Sequence, residues 1–393
     1  MTVTVDEAGL TAPSETPAEQ ERRASFLELF FDLVFVFALT RVTALILTDT
    51  TLAGFGRAAL VLGLVWWAWS AYAWMTNAID IERSSVRVLL LTATAGSFVM
   101  ALAVPHAYGR EGIWFAGAYA FVQVLSTALY VWGLRADREH QQAVLRLAPW
   151  FVVGPALAVT GGLLEHTQLR TAFWLAALLI NVAGTFTVKG ERFRVSPSHF
   201  AERYGLFVII ALGESIVAIG VGAAEIERDL MFAIAVAVAF AGVAVLWWAY
   251  FDFTQVAAER ALRLADPKRR GPLARDVYTL AHFPMVLGII LFAVAAEKTV
   301  AHPHDPLSLA GRASLGTGIA LYLAGFVVAR YRVVRRLAWE RIGGAIAVLP
   351  LALALDGASA VWTLAAAVVL LLLAIEIEAA RLRETRARIR QRH

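Results

Sequence analysis

An apolar run in the middle of the chain reads Arg203-Tyr-Gly-Leu-Phe-Val-Ile-Ile-Ala-Leu-Gly-Glu214-Ser-Ile-Val-Ala-Ile-Gly220. The run is long enough to cross a bilayer as a helix, and it carries one carboxylate well inside it. A charged side chain at that depth is costly to insert, so it is rarely present without a partner or a function. We therefore predict a membrane-spanning helix with Glu214 as a functional-site candidate. The alternative is that Glu214 closes a buried hydrogen bond or ion pair that only holds helices together.

The composition extends the membrane assignment to the whole chain. Hydrophobic residues make up 59% of the 393 residues and charged residues only 17%, which excludes an ordinary soluble domain. Apolar stretches recur at lengths near the roughly 20 residues that a helix needs to cross a bilayer. We predict an all-α, polytopic transmembrane helix bundle of about twelve spans. The predicted spans are 27–47, 58–77, 88–104, 113–133, 147–162, 171–188, 204–222, 230–251, 277–296, 313–329, 342–355 and 358–378.

The basic residues predict the orientation of these spans. Arg41 falls inside the first span, and the basic residues on the side opposite the N-terminus are Arg57, Arg110, Arg170, Arg228, Lys298 and Arg312. All the others among the 35 Lys and Arg residues lie on the N-terminal side, which predicts that both termini are cytoplasmic. We expect a multi-pass protein of the bacterial cytoplasmic membrane. Because the positive charge is explained by topology beside anionic lipid headgroups, we expect membrane lipids and no nucleic acid as partners.

Two tryptophan-rich segments indicate an internal repeat. Val65-Trp-Trp-Ala-Trp-Ser-Ala-Tyr72 lies in the second predicted span and Leu246-Trp-Trp-Ala-Tyr-Phe-Asp-Phe253 in the eighth. We predict a parallel duplication of six spans, an architecture that some secondary transporters use with a binding site between the halves. The predicted regions are a disordered cytoplasmic N-terminus at 1–24, a first six-helix repeat at 25–190, a second at 191–380 and a basic cytoplasmic tail at 381–393.

The tryptophans allow two interpretations. Near a predicted membrane boundary they are typical of an interfacial aromatic belt. A ring of aromatic side chains can instead line a cavity for a cationic or flat organic guest. The candidates for such an aromatic cavity are Trp66, Trp67, Trp247 and Trp248.

Two carboxylates in the first span form the second site candidate. Glu28 and Asp32 are four residues apart, so both lie on one face of the helix, one turn from each other. Two buried acids at that separation repel when both are ionised, so at least one of them is a candidate proton carrier. Alternatively, they accept hydrogen bonds from the free amides at the positive end of the helix.

Arg41 and His282 complete the set of candidates for proton coupling or substrate binding. Arg41 lies nine residues beyond Asp32, on the opposite face of the first helix, so it needs a partner from another span, and Glu214 is the natural one. His282 precedes Pro284, which frees a backbone carbonyl, so the histidine either belongs to a proton path or satisfies that carbonyl. We predict no cofactor and no metal, because His302-Pro-His304-Asp305 has metal-ligand residue types without a specific spacing.

Three stretches resemble the bacterial low-temperature-requirement A family. They are Phe26-Leu-Glu-Leu-Phe-Phe-Asp-Leu-Val-Phe-Val-Phe37, Glu202-Arg-Tyr-Gly-Leu-Phe-Val-Ile-Ile-Ala-Leu-Gly-Glu-Ser215 and His282-Phe-Pro-Met-Val-Leu-Gly288. The resemblance covers the chain from residue 24 to about 380 and implies a polytopic bacterial membrane protein. It implies no biochemical activity. The first stretch also faintly resembles the first helix of small two-repeat potassium channels.

Three classes of function stay open on the sequence. A proton-coupled secondary transporter of a small organic molecule uses the duplication, the membrane carboxylates and the histidine together. An intramembrane enzyme could use the acids to protonate a lipid or isoprenoid, although no nucleophile, nucleotide-binding loop or metal signature supports it. The third class is a cation channel or a membrane protein of stress adaptation. The oligomeric state and the identity of the small-molecule or ion substrate are not predicted.

Overall fold

The structure is a computed structural model that describes residues 23–187, 193–224 and 226–383. The predicted N-terminal lead and basic tail lie almost entirely outside the described residues. Within those ranges the chain forms twelve long helices and no named strand, which confirms the all-α prediction. They are α1 (Phe26–Thr48), α2 (Leu52–Ala78), α3 (Ser84–His106), α4 (Gly112–Gly133), α5 (Arg138–Leu163), α6 (Thr167–Thr187), α7 (Pro197–Gly222), α8 (Leu230–Arg263), α9 (Pro267–Ala301), α10 (Leu309–Val334), α11 (Trp339–Ala354) and α12 (Ala360–Arg381).

Each helix contains or overlaps one predicted span. Eleven of these helices are long and apolar enough to cross a membrane, and α11 is the exception among the described residues because it has only 16 residues. Several helices are longer than their predicted spans. For example, α8 continues past Phe251 through the polar segment Thr254–Arg263. Hydropathy marks only the apolar part of a helix, whereas backbone hydrogen bonding continues into the polar segments at its ends.

Local sequence fixes where α1 and α7 begin. Ser25 accepts a hydrogen bond from the backbone amide of Glu28, and the Glu28 carboxylate accepts one from the amide of Ser25, so the two residues form a capping box. Pro197 follows the N-cap Ser196 and occupies the first turn of α7, where a missing N–H costs nothing. These caps hold the first turns of both helices, and they fix the backbone on which the charged residues described below are carried.

The same pairs of neighbours recur in the two halves of the chain. In the first half α1 packs on α2 and α3, and successive helices pack from α3 to α6, with α2 also against α6. In the second half α7 packs on α8 and α9, and successive helices pack from α9 to α12, with α8 against α12. This correspondence supports the predicted six-plus-six repeat, which stays a prediction.

Four helices meet at the centre. Helices α1 and α2 of the first half contact α7 and α9 of the second half. In their most apolar segments α9 is 78% buried and α2 is 67% buried, against 28% for α6 and α8. Close packing of α9 on α10 depends on glycines, because a Cβ atom at Gly288 would lie 2.4 Å from the carbonyl oxygen of Gly318. The centre of the bundle is therefore the interface between the halves.

Candidate functional site

A buried ionic cluster joins α1 to α7. Nη1 of Arg203 donates to Oε1 of Glu28 over 2.7 Å, and Nη2 donates to Oδ1 of Asp32 over 2.7 Å. The side chains are almost completely buried, with exposed fractions of 0% for Glu28 and 1% each for Asp32 and Arg203. Glu28 and Asp32 do share one face of α1, as their spacing predicts, and the arginine fork bridges that face.

Helix α2 supplies further donors and acceptors to the cluster. The indole Nε1 of Trp69 donates to Oδ1 of Asp32 over 2.8 Å, and Arg203 Nη1 also donates to the hydroxyl of Thr76 over 3.2 Å. Oδ2 of Asp32 and Nε of Arg203 are buried without a hydrogen-bond partner among the described residues. An unpaired buried oxygen is costly, so Asp32 Oδ2 is the one carboxylate oxygen of the cluster that is poised to bind something else.

His199, one turn before Arg203, closes the cluster on the other side. Its Nε2 lies 3.1 Å from Oε1 of Glu28, and its Nδ1 lies 3.0 Å from Nδ2 of Asn77. The Asn77 amide is oriented by Ser196, whose backbone N–H donates to Asn77 Oδ1 over 2.8 Å. Nδ2 of Asn77 is therefore the donor to His199, and His199 is a neutral imidazole whose Nε2–H donates to Glu28.

The cluster contains more acidic than basic side chains, and its hydrogen bonds show which carboxylate oxygens have partners. One arginine faces two carboxylates, and the neutral His199 adds no positive charge. Both oxygens of Glu28 accept hydrogen bonds, Oε1 from Arg203 and Oε2 from His199 and from the amide and hydroxyl of Ser25. A buried cluster with one uncompensated negative charge is unfavourable, so neutrality requires one proton. Among the carboxylate oxygens of the cluster, Asp32 Oδ2 is the one without a hydrogen-bond partner in the described part of the chain.

A π-helical turn in α9 connects this cluster to the rest of the interface. Residues Arg275–Leu280 form the turn, and Thr279 within it binds three aromatic side chains. Nε1 of Trp66 donates to the Thr279 carbonyl over 2.9 Å and Nε1 of Trp74 to its hydroxyl over 2.9 Å. The hydroxyl of Tyr204 lies 2.8 Å from the same Thr279 hydroxyl. Turns of this kind are frequent at functional sites, and this one joins α2, α7 and α9.

A cavity of about 80 Å³ lies against this turn, between α2, α4, α5 and α6 of the first half and α9 of the second. Its volume is several times the roughly 10–15 Å³ that one water molecule needs. Most of the wall is apolar or aromatic, and Ser70, Ser126, Arg275 and Thr279 supply polar groups. The cavity is one residue from the ionic cluster, because Ser70 follows Trp69, the donor to Asp32.

The tryptophans predicted to line a cavity divide into two groups. Trp67 lines this cavity, and Trp66 is buried beside it with its indole bonded to Thr279. Trp247 and Trp248 are 43% and 49% exposed on the outside of the bundle, and they stand apart from the cavity. Their assignment to an aromatic cavity is wrong for this structure, because α8 packs at the periphery whereas α2 packs at the centre. Their position fits the alternative of an interfacial aromatic belt.

Glu214 and Arg41 do not form the predicted ion pair. Glu214 is buried, and its Oε2 accepts a hydrogen bond from the hydroxyl of Thr40 on α1 over 2.5 Å. The Arg41 guanidinium lies 5.7 Å from the ring centroid of Phe37 and forms no ion pair with any described residue. Adjacent helical residues point about 100° apart, and α1 presents Thr40 rather than Arg41 to α7.

His282 has two structural hydrogen bonds. Its Nδ1 lies 2.9 Å from the carbonyl oxygen of Val277 and its Nε2 lies 2.8 Å from the hydroxyl of Tyr250. A carbonyl only accepts, so Nδ1 carries the proton and Nε2 accepts from Tyr250. The ring also stacks on Tyr278 at a centroid distance of 5.3 Å. This arrangement favours the interpretation in which His282 satisfies a backbone carbonyl. The carbonyl is that of Val277, in the irregular part of α9, and not the one that Pro284 was expected to free.

The sequence analysis missed Arg203 and His199 as site residues. Arg203 lies near the start of a predicted span, where a basic residue is typical of the topology signal, and His199 lies in the polar lead to that span. The adjacent Glu202-Arg203 pair within the family-like motif was an available signal. Sequence spacing could not show that Arg203 reaches two carboxylates 171 and 175 residues away.

The fold and the site define a polytopic helical membrane protein with a buried ionic cluster between α1 and α7. The chain belongs to the family described as bacterial low temperature requirement A protein (LtrA), whose model matches residues 23–375. This confirms the resemblance seen in the motifs. The chain is also 35% identical over 304 residues to an uncharacterized protein of Rhizobium meliloti (strain 1021), covering 72% of this chain and 71% of the relative. No solved structure matches the chain.

Proposed function

We propose that the protein is a secondary transporter that couples the movement of a small organic molecule to protons, with Asp32 as the proton-binding residue. The observation that carries the proposal is the unpaired, buried Oδ2 of Asp32 in a cluster with one carboxylate more than its arginine can neutralise. Removing the proton leaves a buried negative charge, whereas adding it makes the cluster neutral.

The location of the cluster gives that proton a mechanical effect. Arg203 on α7 holds two residues of α1, and these helices belong to different halves. In transporters built from two repeats, alternating access arises when one half rocks against the other around a fixed site. A protonated Asp32 favours the closed interface at this end of the bundle, and an ionised Asp32 favours entry of water and separation of the halves. The proton thus biases a two-state equilibrium.

Glu214 is a second candidate for proton handling within the same proposal. Its carboxylate is buried with a hydroxyl partner and no cation partner among the described residues. It lies further along α7 than Arg203, toward the other end of the bundle. Asp32 and Glu214 therefore occupy different depths at the interface between the halves, as two stations of one proton route do.

Acid catalysis has less support. An acid catalyst must reach the atom that it protonates. Glu28 and Asp32 are enclosed by Arg203, His199 and Trp69, and no acidic residue is among the described residues that line the cavity. The geometry therefore separates the acids from the space in which a substrate fits.

Proton flux in proteoliposomes tests the proposal. The purified protein is reconstituted with an internal pH indicator and exposed to a panel that contains neutral amino acids, a sugar, benzoate and benzylamine. We expect at least one compound to drive proton movement. The Asp32→Asn variant should lose this flux by about tenfold or more while still exchanging the labelled compound across the membrane, since exchange needs no net protonation. Asp80→Asn, which alters an exposed carboxylate, serves as the control.

Two results overturn the proposal. One is compound movement in the wild-type protein that neither causes nor responds to a pH gradient. The other is an Asp32→Asn protein with unchanged coupling. A potassium current that is independent of every organic compound in the panel assigns the protein to channels instead.

A further inference from the structure

The cavity beside Thr279 has walls suited to a flat ring. Aromatic side chains approach it from three helices and from the segment before α7: Trp67, Trp74, Tyr130, Phe151 and Phe193. Trp74 is fixed by its bond to Thr279 and by an edge-to-face contact with Phe193, whose ring centroid lies 5.9 Å away. Fixed aromatic walls bind planar apolar groups through stacked and edge-on contacts.

Polar groups in the cavity add direction. The hydroxyl of Ser70 is buried and has no hydrogen-bond partner among the described residues, and Ser126 on α4 also lines the cavity. Arg275 reaches the cavity from α9. Its Nε donates to Asp276 and its Nη1 to the carbonyl of Thr185, and neither bond uses Nη2. The cavity thus combines an aromatic wall with hydroxyl and guanidinium donors.

The charge around this end of the cavity is positive. Asp276 forms ion pairs with both Arg275 and Arg332, so one carboxylate faces two guanidinium groups. Lining residues with an opposing negative charge are absent from the described part of the cavity. Aromatic walls alone would equally suit a cation, but a cation here would meet Arg275 and Arg332 with Asp276 as their shared counter-charge. The arginine instead matches a carboxylate, which it binds through directed hydrogen bonds.

We propose that this cavity binds a small aromatic carboxylate, with its ring between the α2 and α5 aromatic side chains and its carboxylate at Arg275. The inference rests on the proposed transport function and specifies its substrate class. Two short routes, each made of one hydrogen bond and one pair of neighbouring residues in the chain, link the cavity to the proposed proton site. Ser70 follows Trp69, which donates to Asp32, and Thr279 bonds Tyr204, which follows Arg203. A guest that shifts Ser70 therefore also shifts its neighbour Trp69, and a guest that shifts Thr279 also shifts Tyr204, the neighbour of Arg203.

Binding to the purified full-length protein in lipid nanodiscs tests the proposal without requiring transport. Isothermal titration uses benzoate as the probe, with benzyl alcohol, cyclohexanecarboxylate and benzylamine as comparison compounds at the same pH. We expect saturable benzoate binding that is at least about tenfold tighter than binding of benzyl alcohol or benzylamine, because only benzoate offers both the ring and the negative charge.

Two variants separate the ring from the charge. Phe151→Ala should weaken benzoate and benzyl alcohol by similar factors, and Arg275→Gln should remove the preference for benzoate over benzyl alcohol. Since Arg275 also bonds Asp276 and Thr185, its variant is first checked for an unchanged elution profile and thermal unfolding. If it does not fold, Phe151→Ala and the compound series still decide the question. Arg269→Gln and Trp248→Leu, both on exposed residues, are the matched controls.

The outcomes are distinct. Tighter binding of benzylamine than benzoate, equal binding of benzoate and benzyl alcohol, or no saturable benzoate binding at millimolar concentrations each overturns the proposal. Benzoate binding that is sensitive to Phe151→Ala but accompanied by no proton flux supports the cavity and removes the proposed proton coupling. Proton flux that another compound drives, without any benzoate binding, supports the proposed proton coupling and overturns the proposed aromatic carboxylate site.

Discussion

Arg203 on α7 donates from Nη2 to Oδ1 of Asp32 on α1 over 2.7 Å, so the first helices of the two halves are bonded to each other inside the bundle. The residues are 171 positions apart in the chain. Trp69 donates to the same oxygen, which leaves Oδ2 as the oxygen without a hydrogen-bond partner among the described residues. The two oxygens of Asp32 therefore have different roles: Oδ1 bonds the halves together, and Oδ2 is the proposed proton site.

The first prediction concerns the stability that Arg203 provides. Arg203→Met should lower the free energy of unfolding by about 3–5 kcal/mol, because Glu28 and Asp32 are left buried without their counter-charge. Denaturant or thermal unfolding of the protein in detergent measures the loss. Arg87→Met is the control, since Arg87 is exposed and its ion pair with Glu82 should contribute no more than about 1 kcal/mol.

The same substitution has an internal rescue. Combining Arg203→Met with Glu28→Gln and Asp32→Asn removes all three ionisable side chains that bond one another, so much of the lost stability should return. A triple variant that is no more stable than Arg203→Met alone would show that the packing of the arginine, and not the charge balance, holds the helices together.

The second prediction concerns topology. The chain contains no cysteine, so single cysteine substitutions can be labelled without background. A maleimide that does not cross membranes should label Lys268→Cys only from the cytoplasmic side and Glu227→Cys only from the opposite side. Both residues are exposed, with Glu227 in the connection before α8 and Lys268 in the first turn of α9, after the other end of α8. Tags near residues 10 and 390 should report the cytoplasm. Labelling of Lys268→Cys from outside would contradict both the orientation and the six-plus-six repeat.

The helices were predictable because a membrane imposes a length and a composition on each one. Even the weak case is informative: the predicted span 342–355 became α11, a helix of 16 residues that is too short for an ordinary crossing. Glu28 and Asp32 were also predictable, because the helical period alone puts residues four apart on one face. Both kinds of inference depend only on local sequence.

The partners of these residues depend on how helices are rotated about their own axes, which no local pattern encodes. The prediction of Arg41 as the partner of Glu214 failed for this reason, since α1 presents Thr40 to α7. The exposure of Trp247 and Trp248 depends on where α8 packs, and the segment resembles the buried Trp66-Trp67 segment in sequence. Arg203 was overlooked because a basic residue near a helix start carries topological information whether or not it has a second role.

The third prediction tests whether His282 is structural. Tyr250→Phe removes the donor to Nε2 of His282 and leaves a buried acceptor unpaired, which should cost about 1–3 kcal/mol of unfolding free energy. The pH dependence of any proton flux should not change. Tyr331→Phe, at an exposed position, should have no measurable effect on stability. A Tyr250→Phe protein with normal stability and altered pH dependence would return His282 to the list of proton carriers.

The last prediction distinguishes Thr40, the observed partner of Glu214, from Arg41, the partner predicted from the sequence. The hydroxyl of Thr40 donates to Glu214 over 2.5 Å, whereas Arg41 turns toward Phe37. Thr40→Val should therefore cost about 1.5–3 kcal/mol, because it leaves a buried carboxylate without its donor. Glu214→Met alone should cost less, since it removes the carboxylate that needs solvation. The double variant Thr40→Val with Glu214→Met should be close to Glu214→Met, because replacing both partners by apolar groups leaves nothing unsatisfied.

The matching cycle with Arg41 gives the decisive comparison. Arg41→Met and Glu214→Met should add within about 0.5 kcal/mol, as expected for residues that do not interact. Unfolding free energies of the five variants and the wild-type protein supply both coupling energies from one set of measurements. A large coupling for Arg41 and none for Thr40 would mean that α1 is rotated by about one residue from the arrangement described here. The same rotation would carry Asp32 away from Arg203, so the cycle also tests the geometry on which the proposed proton site depends.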